Sequence, residues 1–218
     1  MKFRNSLRFP ILTVAAFVAS LPYGAEAAVV WQPAGASTTM QTAATTSAAN
    51  VIDQSGLSDS YTAGVTDLNA YLASAPTHDF GSLSDVWLSD FAPTGNFDFD
   101  LGGTVTLTSM VLWNDATGSP RRINTITLYA DDNASFSSPT VIGLFTTNPN
   151  NGLASAVSPD IFNFAAVEAS YIRMEITANN GNLDTRFGEV AFGVVPEPSA
   201  ALLAGVGTLF LLKRRRQA

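Results

Sequence analysis

Along residues 97–114, FDFDLGGTVTLTSMVLWN, apolar and polar side chains alternate. Phe97, Phe99 and Leu101 fall on one side of an extended chain, Asp98 and Asp100 on the other. Gly102 and Gly103 predict a turn of the backbone. After it, Val105, Leu107, Ser109, Val111 and Trp113 alternate with Thr104, Thr106, Thr108, Met110 and Leu112. A period of two with β-branched and aromatic residues predicts strands in a sheet with one wet face. Residues 123–130 repeat the pattern, and further strands are expected over 29–31, 85–88, 139–147, 160–165, 170–178 and 186–192. Residues 37–50 are rich in Ala, Thr and Ser without a period and read as loop or irregular edge. Residues 50–57 are turn-rich. Residues 59–90 are mixed, with a short helix or a long loop at 66–73. Turns follow at 114–120, 131–136, 148–152 and 179–182. Short alternating runs separated by turns about every 8–20 residues predict an all-β fold, an antiparallel β-sandwich or jelly roll.

The two ends break this pattern. Lys2, Arg4 and Arg8 precede an apolar run at 11–21 and an A-x-A site at Ala25 and Ala27. Residues 1–27 therefore read as a secretory signal peptide, with the mature chain starting at Ala28. At the other end, Pro196, Glu197 and Pro198 precede an apolar span at 200–212, and Lys213, Arg214, Arg215 and Arg216 follow it. Thirteen helical residues rise about 20 Å, short of the roughly 30 Å hydrocarbon core, so the flanks must help the span across. The basic cluster is expected on the cytoplasmic side. The expected organisation is a signal peptide at 1–27, one β-sandwich domain at 28–193, and a sorting signal at 195–218 whose transmembrane segment is 200–212.

Charge sharpens the picture. The whole chain carries a formal net charge of −7. Residues 28–195 hold sixteen acidic side chains against four arginines, a net charge of −12. Such a body repels phosphate backbones, which excludes nucleic acid as a partner. Oxygen-rich loops suit a hard cation. The absence of Cys excludes disulfides, thiol catalysis and Cys-based zinc sites.

Several residues are candidates for chemistry. His78, beside Asp79, either orients a sugar hydroxyl or bonds locally in its loop. Trp87 and Trp113 either offer a stacking face or pack in the core. Arg173 either reaches a ligand at the rim of the sandwich or pairs with an acid. Arg121 and Arg122, next to Pro120, read as a solvated turn. Asp98 and Asp100 read as two solvated carboxylates rather than a glycosidase pair, which needs unequal environments. No nucleophile elbow, H-E-x-x-H, P-loop or Rossmann fingerprint occurs.

The tail resembles the PEP-CTERM sorting signal of Gram-negative bacteria: Pro196, Glu197 and Pro198, the short apolar span and the terminal Arg run stand in that order. The resemblance implies transient anchoring in the inner membrane, recognition and cleavage by an exosortase, and release to the cell surface or an exopolysaccharide matrix. Over about residues 48–193 the body is similar to a galactose-binding-like domain of the discoidin (coagulation factor 5/8 C-terminal) type. The matching residues are Val51, Ile52, Asp53 and Gly56, then Trp87, Leu88 and Ser89, then Phe99 to Gly102, Leu107 to Asn114, Tyr171 to Met174, and Gly188, Glu189 and Val190. This resemblance implies a structural Ca²⁺ held with the help of Asp53 and Glu189; read from the residues alone, these are equally a turn-capping Asp and a solvated edge Glu. Where the family usually has Gly after that Asp, this chain has Gln54. The expected protein is a non-enzymatic, exported carbohydrate- or exopolysaccharide-binding module, with His78, Trp87 and Arg173 as ligand residues. A structural or adhesive matrix protein is the alternative, and a polysaccharide hydrolase a third.

Overall fold

The computed structural model describes residues 27–116, 118–151 and 156–196. Within them lie eight strands: β1 (Val29–Trp31), β2 (Gly35–Thr38), β3 (Trp87–Leu88), β4 (Gly95–Asn114), β5 (Ile123–Asp131), β6 (Thr140–Thr146), β7 (Asp160–Asn179) and β8 (Arg186–Val195). One short helix, α1 (Leu68–Ala73), joins them. Residues 1–26 of the expected signal peptide, with its Ala25 cleavage residue, and Glu197, Pro198 and the 200–212 span lie outside the described residues. Among the described residues no helix is long and apolar enough to cross a membrane.

The glycine pair does not end a strand. β4 runs through it for 20 residues, with a register shift between Asp100 and Val105. Gly102 has φ +78°, a conformation that costs little without a Cβ, so the strand bends and continues. β7, expected as two strands, is also one of 20 residues and bends at the same level, between Ala169 and Tyr171. The two long strands thereby serve both layers. One layer is β2, the first half of β4, the second half of β7, β5 and β6. The other is β1 and β3 on β8, then the second half of β4 and the first half of β7.

Between the layers lies the main core. Trp87, Phe97, Phe99, Phe187 and Phe192 are fully buried, and their rings meet edge-on or tilted at 5.1–5.7 Å between centroids. Each such burial contributes about 1.5–3 kcal/mol, and ring geometry adds somewhat more. The second half of β4 departs from the one-wet-face expectation. A second register shift between Leu107 and Ser109 turns Leu107, Met110 and Leu112 into the main core. Val111 and Trp113 then face outward into a second cluster with Val30, Tyr61, Leu68, Tyr71 and Ala191. The segment carrying α1 covers that face. Asp67 caps the helix by accepting from Ala70 N at 2.8 Å, and Leu68 and Tyr71, three apart, point into the cluster.

Candidate functional site

Three loops meet at the end of the sandwich where β3 leads into β4, β4 into β5, and β7 into β8. Ser89 and Thr185 exchange hydrogen bonds, Ser89 N to Thr185 O at 2.9 Å and Thr185 N to Ser89 Oγ at 2.7 Å. Thr185 Oγ1 donates to Pro93 O at 2.8 Å. Asn182 N donates to Pro120 O and Asn180 N to Arg122 O. Asp184 sits where all three loops join. Its Oδ1 accepts from Phe91 N at 3.0 Å, and its Oδ2 lies 3.5 Å from Arg121 Nε.

This fastening displays an aromatic ring. Phe91 is 76% exposed, and its backbone sits at φ +51°. An aromatic residue in the left-handed region carries backbone strain, which persists only where surrounding structure imposes it; such strain gathers at functional sites. Leu183, one residue before Asp184, is 65% exposed, and the Arg121 side chain is 42% exposed. The rim therefore offers an apolar ring, a flanking aliphatic group and a guanidinium.

Buried charges hold the rim's foundation. Arg186 donates to Asp115 Oδ1 through Nε at 2.9 Å and Nη2 at 2.5 Å. Arg122, with no exposed surface, donates to Asp115 O and Asn148 O and pairs with Asp160 at 3.2 Å. Burial pushes the Asp160 carboxyl above its ordinary value and the Arg122 guanidinium below its own; each partner's charge opposes the shift.

The expected ligand trio does not assemble. Trp87 is fully buried and donates from Nε1 to Thr42 Oγ1 at 3.0 Å, so its ring is core rather than platform. Trp113 is likewise buried, donating to Pro76 O. His78 has no exposed surface either. Its ring lies so close to Gly56 and Gly188 that a Cβ on either would stand 2.6–2.7 Å from it. Arg173 lies on the outer face of the first layer, where it forms a bidentate pair with Asp98 at 2.7 and 2.8 Å. Asp98 is thus an ion-pair partner, not a free catalytic acid. Arg121, expected as a solvated turn, belongs to the rim. Phe91 was the legible clue: in Ser-Asp-Phe-Ala-Pro it is an aromatic among turn formers, with no alternating partner to bury it.

Glu189 stands out in the interior. It has no exposed surface, Oε2 accepts from Gln54 N at 3.1 Å, and Oε1 has no partner among the described residues. Burial raises its carboxyl well above the ordinary range, and Asp53 raises it further; only the Gln54 N–H opposes. The Tyr61 hydroxyl, electrostatically coupled to Glu189, is also buried and has no partner among the described residues. Gln54 adopts φ +63°, a conformation that glycine takes without a Cβ penalty. Asp53 Oδ1 accepts from Ser55 N at 2.9 Å and from Ser55 Oγ, the turn-capping role, which leaves Asp53 Oδ2 with the orphaned Glu189 Oε1 and Tyr61 hydroxyl as oxygens that fit a hard cation. Among the described residues no three acidic or imidazole groups gather, so hydroxyl, amide or backbone oxygens would have to complete the set.

Known proteins match the tail and the body of the chain. A profile for the PEP-CTERM protein-sorting motif matches residues 194–217. The tail is a PEP-CTERM sorting motif. It marks an exported protein sorted via the membrane. No curated protein sequence matches the chain. Among solved structures, the body is similar to the family 32 carbohydrate-binding module of AlyQ in complex with 4,5-unsaturated mannuronic acid. The TM-score is 0.50 at 17% identity, over 75% of this chain and 97% of that one. It is similar also to the family 32 module of C. perfringens NanJ in complex with galactose, with a TM-score of 0.51 at 15% identity over 77% and 98%. A third is CpGH89CBM32-5 from Clostridium perfringens in complex with GalNAc-β-1,3-galactose, at 0.50 and 11% over 72% and 93%. The body of the chain thus has the galactose-binding-like β-sandwich fold.

Proposed function

We infer that the protein is an exported, non-catalytic glycan-binding module whose site is the three-loop rim. A sugar ring stacks on Phe91, Leu183 flanks it, and Arg121 donates to its hydroxyls while Asp184 fixes the distance between ring and guanidinium. The observation that carries this reading is the exposed Phe91 held at positive φ by Asp184 beside Arg121. The module fold of the structural neighbours and the glycans bound in them support it. The signal peptide at 1–27 and the sorting signal at 195–218 bracket the sandwich. An exosortase cuts near Pro196, Glu197 and Pro198 and frees the body to the surface or exopolysaccharide matrix of a Gram-negative bacterium.

Asp53 and Glu189, with Tyr61, would hold a structural Ca²⁺ in this reading, and its positive charge would let Glu189 ionise without solvent. Gln54 N holds Oε2 in place. A glycan array with the exported protein tests the rim. Saturable glycan binding that is lost in Phe91→Ala and weakened in Arg121→Ala is expected. Unchanged binding in both variants would overturn the assignment.

A further inference from the structure

The outer face of the first layer carries a second concavity, away from the rim. Ser37, Asp98, Arg173 and Tyr129 lie in one row across four strands; Gly35, Asp100, Tyr171 and Asp131 lie in the next. Asp100 is five residues along β4 from Gly95, about 17 Å from the strand's loop end.

Residues 132–139, between β5 and β6, fold over these rows. Asp131 accepts from Asn133 N at 3.0 Å and from Ser138 N at 3.1 Å, so one side chain ties both ends of the loop. Phe136, at φ +49°, lays its ring 4.2 Å from the Arg173 guanidinium carbon. Between the loop and the sheet lies a hollow of about 340 Å³, lined by Ser37, Asp98, Asp100, Ala134, Phe136 and Tyr171. On the other side of Phe136 a hollow of about 150 Å³ continues past Tyr129, Arg173 and Glu175. The larger hollow lies at the small end of the range of ligand pockets, about 300–1,000 Å³.

The polar groups in it divide into used and unused. Both Asp98 oxygens are taken by Arg173. Asp100 Oδ1 accepts from Gly102 N at 2.8 Å. Asp100 Oδ2, Ser37 Oγ and Tyr171 Oη have no partner among the described residues. An aromatic wall with one free carboxylate oxygen and two hydroxyls suits neighbouring sugar hydroxyls, which both donate and accept. The cation on this floor, Arg173, is already neutralised, while Asp100 and Glu175 remain. A uronate would be repelled here and a neutral sugar would not.

We propose that the hollow between Ser37, Asp100, Tyr171 and the Phe136 loop is a second glycan site, taking a neutral hexose residue of a chain that runs on past Tyr129. The choice of ligand class rests on the glycan-binding reading; the site itself does not depend on the rim. Two sites on one small domain would let it bridge polysaccharide strands or grip one strand twice.

Titration calorimetry of the exported protein with a neutral galacto-oligosaccharide tests this, with an oligomannuronate of equal length as the anionic control. Two sites are expected in the wild type. Phe91→Ala should retain only the face site, which then binds the oligomannuronate at least tenfold more weakly than the neutral probe. Tyr171→Ala, and independently the milder Asp100→Asn, should each weaken the face site at least tenfold with unchanged melting temperature. A single site abolished by Phe91→Ala and untouched by Asp100→Asn and Tyr171→Ala would overturn the proposal while leaving the rim intact. A stoichiometry untouched by Phe91→Ala but reduced by Asp100→Asn would remove the rim and keep the face site. No neutral-sugar binding by the wild type would overturn both.

Discussion

His78 is the chain's single histidine, and it is buried as a neutral imidazole. Burial lowers its proton affinity below the ordinary histidine value of 6.5, while the Ser55 and Asp85 carbonyls and the Asp79 and Asp85 charges oppose the shift. Neither ring nitrogen makes a hydrogen bond within the described residues. The unfolded chain therefore takes up a proton below about pH 6.5 that the folded chain resists, and stability from this group falls as pH drops. Urea unfolding from pH 7 to 5 should show a steeper loss in the wild type than in His78→Asn, by at most about 1.4 kcal/mol per pH unit. Parallel curves would contradict the assignment. The same ring explains Gly188, where a Cβ would stand 2.7 Å from three of its atoms. Gly188→Ala should cost about 1–3 kcal/mol by urea unfolding, and distinctly less in a His78→Ala background.

At the scale of elements, the β4–β5 connection is held to the body by buried charge. Arg122 has no exposed side-chain surface and Asp160 almost none. Removing one partner leaves the other charge stranded, so Asp160→Asn should cost about 3–5 kcal/mol in thermal or urea unfolding. A loss below 1 kcal/mol would mean that Asn148 O and Asp115 O alone satisfy Arg122. Strand existence was legible in sequence because alternation is local: 97–101, 105–113 and 123–130 each declare themselves. The continuity of β4 and β7 was not. Gly102 reads equally as turn or bend, and only the matching bend in β7 decides between them. The burial of both faces after Ser109 was hidden too, because α1 and Tyr61, which cover the outer face, come from a segment with no strong period. The rim was missed for a related reason. Phe91, Arg121 and Leu183 lie some 30 and 60 positions apart in the sequence, and only tertiary contacts, the hydrogen bonds of Ser89, Asn180, Asn182, Asp184 and Thr185 and the Asp184–Arg121 ion pair, bring their loops together. His78 and Trp87, by contrast, look like ligands in a list of residue types and are packing groups in the fold.

The whole molecule is an acidic sandwich without a disulfide, so a bound cation would be its natural reinforcement. Glu189 is buried, with Oε1 unpartnered among the described residues and Asp53 acting on its charge, so the proposed Ca²⁺ would sit there. Ca²⁺ at a hundredfold excess over its dissociation constant should add about 2.7 kcal/mol, seen as a raised melting temperature that a chelator reverses. Glu189→Gln should abolish the calcium response. Identical melting of the wild type with and without Ca²⁺ would remove the metal from the description. The rim and Glu189 share one frame: β8 carries Glu189 and begins at the loop that carries Asp184.

Amide chemical shifts of the ¹⁵N-labelled exported protein, titrated with a neutral galacto-oligosaccharide, report most directly on whether the rim is where glycan binds. Saturable perturbations centred on residues 89–94, 118–122 and 180–185, and lost from those loops in Phe91→Ala, are the expected result. Binding that leaves these three loops unperturbed would contradict a rim built on Phe91.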